Sequence, residues 1–163
     1  MIPNTEILEN RIIFNHKKTP LLIRSFLVLI LVICTLVPIA VLIFVLTLGD
    51  GPHIGIAVSF LIFWGSGFIM LRTILWNNHG KEIIDLANDK IKYLADYKYF
   101  KDARQEIETD GLEVEIIYED TMNNYIGRLL LKNNNTEIET VLQSNLNELE
   151  LIKEKIKTRY NIK

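Results

Sequence analysis

One cysteine and three histidines are all that this 163-residue chain offers of the side chains most used for redox and metal chemistry. A single cysteine, Cys34, excludes an internal disulfide. It lies in an apolar run, where it behaves as a small apolar residue. The C-terminal half has no cysteine, which suits a reducing compartment. His16, His53 and His79 are scattered, without carboxylate or cysteine companions at ligand spacing. Asp85, Asp89 and Asp96 do not follow a metal-loop spacing. There is no glycine-rich phosphate loop, because Gly65-Ser66-Gly67 falls inside an apolar run. No nucleophile stands beside a base. The expectation is a chain with no cofactor, no metal and no catalytic activity.

Charge is the next absence. Residues 25–48 form 24 consecutive uncharged positions, and residues 54–71 form 18 more. As helices they rise roughly 1.5 Å per residue. The first therefore clears the roughly 30 Å core of a bilayer. The second does so too if it extends to Trp76 with Arg72 snorkelling. Gly49-Asp50-Gly51-Pro52-His53 separates them and reads as a tight turn, so the helices are expected as an antiparallel transmembrane hairpin over 21–76. The first run is too long for a signal peptide's h-region of roughly 7–15 residues. Arg11, Lys17, Lys18 and Arg24 precede the hairpin, and Arg72 and Lys81 follow it. The positive-inside rule then predicts both termini in the cytoplasm. The absence of charge within the runs argues against an ion path.

Small residues suggest where helices meet in lipid. Gly55, Ser59, Gly65 and Gly67 mark a packing face, either within the hairpin or for another membrane subunit. Pro38 is expected to kink the first helix or free carbonyls in it.

The flanks are polar. Residues 1–20 form an N-terminal segment, in which 6–14 reads as ordered: an extra strand docking on the later domain, or a short interfacial helix. Residues 77–163 form one small domain. From residue 76 onward there are 13 Lys+Arg and 17 Asp+Glu. This acidic balance argues against nucleic acid as partner.

Short strands are predicted through that domain, after a turn at Asn77-Asn78-His79-Gly80. Ile83, Ile84 and Leu86 lie in one, and Ile91, Tyr93 and Ala95 alternate in the next. A third strand covers 104–109. Asp110-Gly111 is the strongest hairpin signal in the chain. Leu112, Val114, Ile116 and Tyr118 then alternate as a buried face. Residues 120–124 read as a loop, 125–131 and 136–142 as strands. Ser144 is expected to cap a final helix with Leu146, Leu149, Ile152, Ile156 and Tyr160 on one stripe. Lys153, Lys155, Lys157 and Arg159 complement its dipole. The fold class is α+β: a transmembrane hairpin, then a small antiparallel sheet or barrel, then a C-terminal amphipathic helix.

This order resembles the bacterial pleckstrin-homology-like domain preceded by two membrane helices, as in YcxB-like proteins. The features carrying it are the hairpin over 21–75, the exit at 71–82, the Glu106-Ile107-Glu108-Thr109-Asp110-Gly111-Leu112 segment and the helix over 144–160. The resemblance implies binding or scaffolding in a bacterial cytoplasmic (inner) membrane and supplies no functional residues. The expected function is an accessory subunit or assembly factor among other membrane proteins in the lipid bilayer, with a homo-oligomer also allowed. The alternative is a membrane-proximal lipid or small-ligand sensor. Tyr93, Tyr97, Tyr99 and Phe100 are the candidate partner surface, with core and rim packing as their simpler role. Lys98, Lys101 and Arg104 are the candidate headgroup contacts.

Overall fold

The structure is a computed structural model that describes residues 4–49, 51, 53–121 and 124–162. Two compact units divide the chain: Lys18–Asn78, and Met1–Lys17 together with His79–Lys163.

The first unit holds α1 (Leu21–Thr47), with α2 (Ile54–His79) continuing from it. Both are long and apolar enough to cross a membrane. Gly49 sits at φ +80°, as a helix-terminating glycine does. Asp50 and Pro52 of the anticipated turn lie outside the described residues. The second helix runs through Asn77, Asn78 and His79, so the turn anticipated there is wrong. Asn and His are tolerated in a last turn, and the break falls at Gly80. The less exposed residues follow a three-four spacing: Leu31, Cys34 and Pro38 on α1, and Ile56, Phe63, Gly67 and Ile74 on α2. Leu31 and Cys34 approach Gly67, with Cys34 Cβ 3.5 Å from where a side chain at 67 would begin.

In the β unit, β1 (Asn4–Ile7), β2 (Arg11–Asn15), β3 (Lys81–Leu86), β4 (Lys90–Asp96) and β5 (Lys101–Glu108) form one antiparallel sheet in sequence order. Residues 6–14 are thus a hairpin rather than a helix. Its second strand pairs with β3 across the whole apolar insertion, Phe14 facing Glu82 and Ile12 facing Ile84. A second sheet holds β6 (Glu113–Thr121), β7 (Asn124–Lys132), β8 (Glu137–Glu139) and the two-residue β9 (Ser144–Asn145). Strand residues reach Thr121 and resume at Asn124, so most of the expected 120–124 loop is sheet, and Met122 and Asn123 lie outside the described residues.

Asp110-Gly111 makes a turn, with Gly111 at φ +65°, but not a hairpin. The strands it joins belong to different sheets: β5 pairs with β4, and β6 pairs with β7. Thr109 N–H turns back to the Asp89 carbonyl at 3.2 Å. Turn chemistry is local, whereas strand pairing is decided by what each strand can bury.

Helix α3 (Leu146–Tyr160) packs on β6, β7 and β9. Its Leu149, Ile152 and Ile156 are fully buried, as are Ile12, Phe14, Ile84, Ile91, Leu129, Leu131 and Ile138 of the strands. Asn145, not Ser144, caps it, accepting from Asn147 N–H at 3.0 Å. Ser144 is instead in β9, its hydroxyl donating to Glu148 at 2.6 Å. Its one hydrogen is thereby used, so Thr5 Oγ1, 2.9 Å away, is the donor in their contact. The far end of α3 reaches the turns of the first sheet. Lys155 donates to the Leu8 carbonyl, Arg159 to Asn10 and Tyr160 to the Ala87 carbonyl. The basic helix end thus fastens two hairpin turns as well as matching its dipole.

Candidate functional site

Strand β3 alternates Glu82, Ile84 and Leu86 on its inner face. A carboxylate therefore enters the core in phase with two aliphatic side chains, and Glu82 is 0% exposed. Burying a charge without partners is costly. Here three donors meet it. Tyr93 O–H donates to Oε1 at 2.5 Å and Val141 N–H to the same oxygen at 2.8 Å. Leu142 N–H donates to Oε2 at 3.0 Å. Burial pushes the Glu82 carboxyl above its ordinary range, while these bonds and the charge of His16 pull the other way. The Tyr93 hydroxyl is held well above its ordinary range, by burial first and then by the Glu82 charge. The carboxylate has all its donors from the protein and ties β3 to the segment joining β8 and β9, so its chemistry is that of a staple between sheets.

The candidate partner surface separates. Tyr93 is 4% exposed and belongs to the core, the simpler of the two roles open to it, and so is no part of a partner surface. Tyr97 and Phe100 are half-buried in the β4–β5 turn, where Tyr97 N–H donates to the Phe100 carbonyl at 2.8 Å. Tyr99 projects from that turn at 70% exposure. Lys98 has φ +76°, its N–H bound to Asp96 at 2.7 Å and its Nζ 5.2 Å from the Tyr99 ring centre. Lys101 and Arg104 are exposed on β5, the outer strand of its sheet. The register slips between Tyr93 and Ala95, and Ala103 adopts φ +51°. A bulge and alternating charge of this kind blunt an edge against casual pairing. Tyr118, expected inside, is 64% exposed, because β6 runs on beyond the core that holds Val114 and Ile116.

In the helices, Gly67 is the buried member of the small-residue set. Gly55 and Gly65 have open space where a side chain would stand, and Ser59 donates to its own helix at the Ile56 carbonyl. A polar cleft of about 230 Å³ lies among Lys90, Glu106, Glu108, Asn133, Asn135 and Thr136. Lys90 and Glu106 are ion-paired across it at 2.5 Å, each stabilising the other's charged form. Among the described residues no group of His, Cys, Asp or Glu could hold a metal ion.

Glu82 is the residue that sequence reasoning missed. Its signal was present in the period-two pattern that places it with Ile84 and Leu86. No family model, curated protein or solved structure matches this chain.

Proposed function

We propose that the chain is a non-enzymatic integral membrane protein. Its two apolar helices cross the bilayer as a hairpin, and its β unit works in the cytoplasm as a pleckstrin-homology-like interaction domain. In this role it is an accessory subunit or assembly factor of a larger membrane complex. The observation that carries the reading is the exposure of the helices. Only 6% of each apolar window is buried, so neither helix is the core of a soluble fold. Apolar surface on that scale needs lipid or protein around it. The pairing of β2 with β3 supports the same reading: the segments before and after the helices must lie on one side, as two crossings require. The two antiparallel sheets, with a C-terminal helix packed on the second, support the pleckstrin-homology-like assignment. The buried carboxylate with its donors already supplied supports a binding rather than a catalytic role.

Purification of the tagged chain from native membranes in mild detergent, with mass spectrometry of what stays bound, tests the reading. A stoichiometric membrane partner is expected. A chain recovered alone or only with its own copies contradicts the accessory role.

A further inference from the structure

The antiparallel register gathers exposed lysines at the end of the first sheet where the chain enters and leaves the helices. Asn15, Lys81, Asp96 and Lys101 are successive cross-strand neighbours at one end. The chain leaves the β unit after Lys17 and returns at His79, both at this end, where His16 N–H donates to the Gly80 carbonyl at 2.8 Å. Lys17, Lys81, Lys98 and Lys101 are exposed there. The acids at this end are Glu6, which accepts from Asn15 at 3.0 Å, and Asp96 and Asp102, which accept the N–H groups of Lys98 at 2.7 Å and Ala103 at 2.9 Å, so the four lysines stand against three carboxylates. The opposite end mixes charge: Glu9, Asp89, Glu108 and Asp110 are exposed in or beside its turns, and Arg11, Lys90, Lys155 and Arg159 lie among them, bound to Asp85, Glu106, the Leu8 carbonyl and Asn10. Two exposed apolar side chains mark the basic end: Tyr99 at the tip of the β4–β5 turn, and Val141 at 65% exposure, whose N–H is held by Glu82 next to Lys81.

We infer that this basic, tyrosine-tipped end of the sheet is a contact surface for an anionic phospholipid leaflet. The inference rests on the membrane-anchored reading above and names the ligand class for its β unit. Lys17, Lys81, Lys98 and Lys101 meet headgroup phosphates, and Tyr99 lies at the interface, the level where aromatic rings and lysines gather in membrane proteins. The acidic balance of the domain does not cancel the attraction. A seven-residue strand such as β4 spans about 23 Å at roughly 3.3 Å per residue. That exceeds the Debye length of roughly 8 Å at physiological salt.

The test uses the full chain with Cys34→Ala in nanodiscs of phosphatidylcholine alone or mixed with phosphatidylglycerol. A fluorophore is attached in turn through Tyr99→Cys, Asn88→Cys at the opposite end, and Leu61→Cys on α2. Spin-labelled lipids quench it from the headgroup or the acyl chain. Acyl-chain quenching at position 61 is expected in both lipids. With phosphatidylglycerol, headgroup quenching at 99 is expected to exceed that at 88 by at least about threefold, since each basic residue near an anionic surface shifts the population by roughly fivefold. Lys81→Glu with Lys101→Glu is expected to erase the excess. Quenching at 61 without an excess at 99, or an excess indifferent to lipid charge and to these reversals, overturns the inference and leaves the anchored reading standing. No acyl-chain quenching at 61 overturns both.

Discussion

A carboxylate closed off from water can be kept only if its donors are fixed in place, and Glu82 has three of them. Glu82→Ala leaves the Val141 and Leu142 N–H groups and the Tyr93 hydroxyl without their acceptor. We expect a loss of about 3 kcal/mol in denaturant unfolding of the full chain, followed by far-ultraviolet circular dichroism. Tyr93→Phe removes one bond and is expected to cost about 1 kcal/mol. A value near zero for Glu82→Ala would show that the two sheets are held without the staple. The pH dependence follows from the raised carboxyl. Between its ordinary value of 4.5 and its higher folded value, the folded state holds the proton more firmly than the unfolded chain. Stability therefore falls as pH rises through that window, and above it the cost of the buried charge is fully present. Glu82→Gln is expected to remove this slope, while the opposite slope of exposed carboxylates such as Glu106, which Lys90 holds low, stays in its own window below 4.5. At this scale the sequence was half legible. Alternation puts residue 82 inside, but its backbone donors lie about sixty positions away, and no local pattern announces them. Tyr93 is buried in phase with Ile91 and Ala95, the core role that alternation gives it, whereas the aromatic run at 97–100 has no such period to place it.

Elements were more legible than their pairings. The apolar runs, the alternation of β4 and β6 and the stripe of α3 follow from periodicity alone. What periodicity cannot supply is where a strand outruns its core, as β6 does at Tyr118, or which strand lies beside which, as at Asp110-Gly111. The β2–β3 pair is the extreme case, with the helical insertion between its partners. Close approach of elements gives the sharper predictions. A Cβ at Gly127 in β7 would lie 2.7 Å from the Ile117 carbonyl oxygen and 3.2 Å from Leu146 of α3. Backbone cannot yield as a flexible side chain can. Gly127→Ala is expected to destabilise by about 1–3 kcal/mol, read in the same unfolding assay. Asn145→Ala removes the α3 cap and is expected to cost about 1 kcal/mol. On the helices, Gly67→Leu is expected to part α1 from α2, while Gly65→Leu is expected to be tolerated. Resistance of the two variants to thermal unfolding in detergent distinguishes them, and equal effects would contradict the Gly67 seam.

For the molecule as a whole, the β unit is assembled from chain on both sides of the apolar helices, and that constrains topology more firmly than the lysine and arginine count does. The positive-inside rule proposes which side faces the cytoplasm; β2 pairing with β3 requires that both flanks share one side, whichever it is. The short connection between α1 and α2 must then face the opposite side if the helices cross the bilayer. The measurement that tests this most directly is labelling of single cysteines by a membrane-impermeant maleimide. His53→Cys, between the helices, and Asn88→Cys, in the β3–β4 turn, are each placed in a Cys34→Ala chain in intact bacterial spheroplasts. The account predicts that position 53 reacts from outside and position 88 only after the membrane is opened. Equal reaction of both positions in intact spheroplasts would contradict the hairpin, and reaction at 88 alone would contradict the proposed cytoplasmic placement of the β unit.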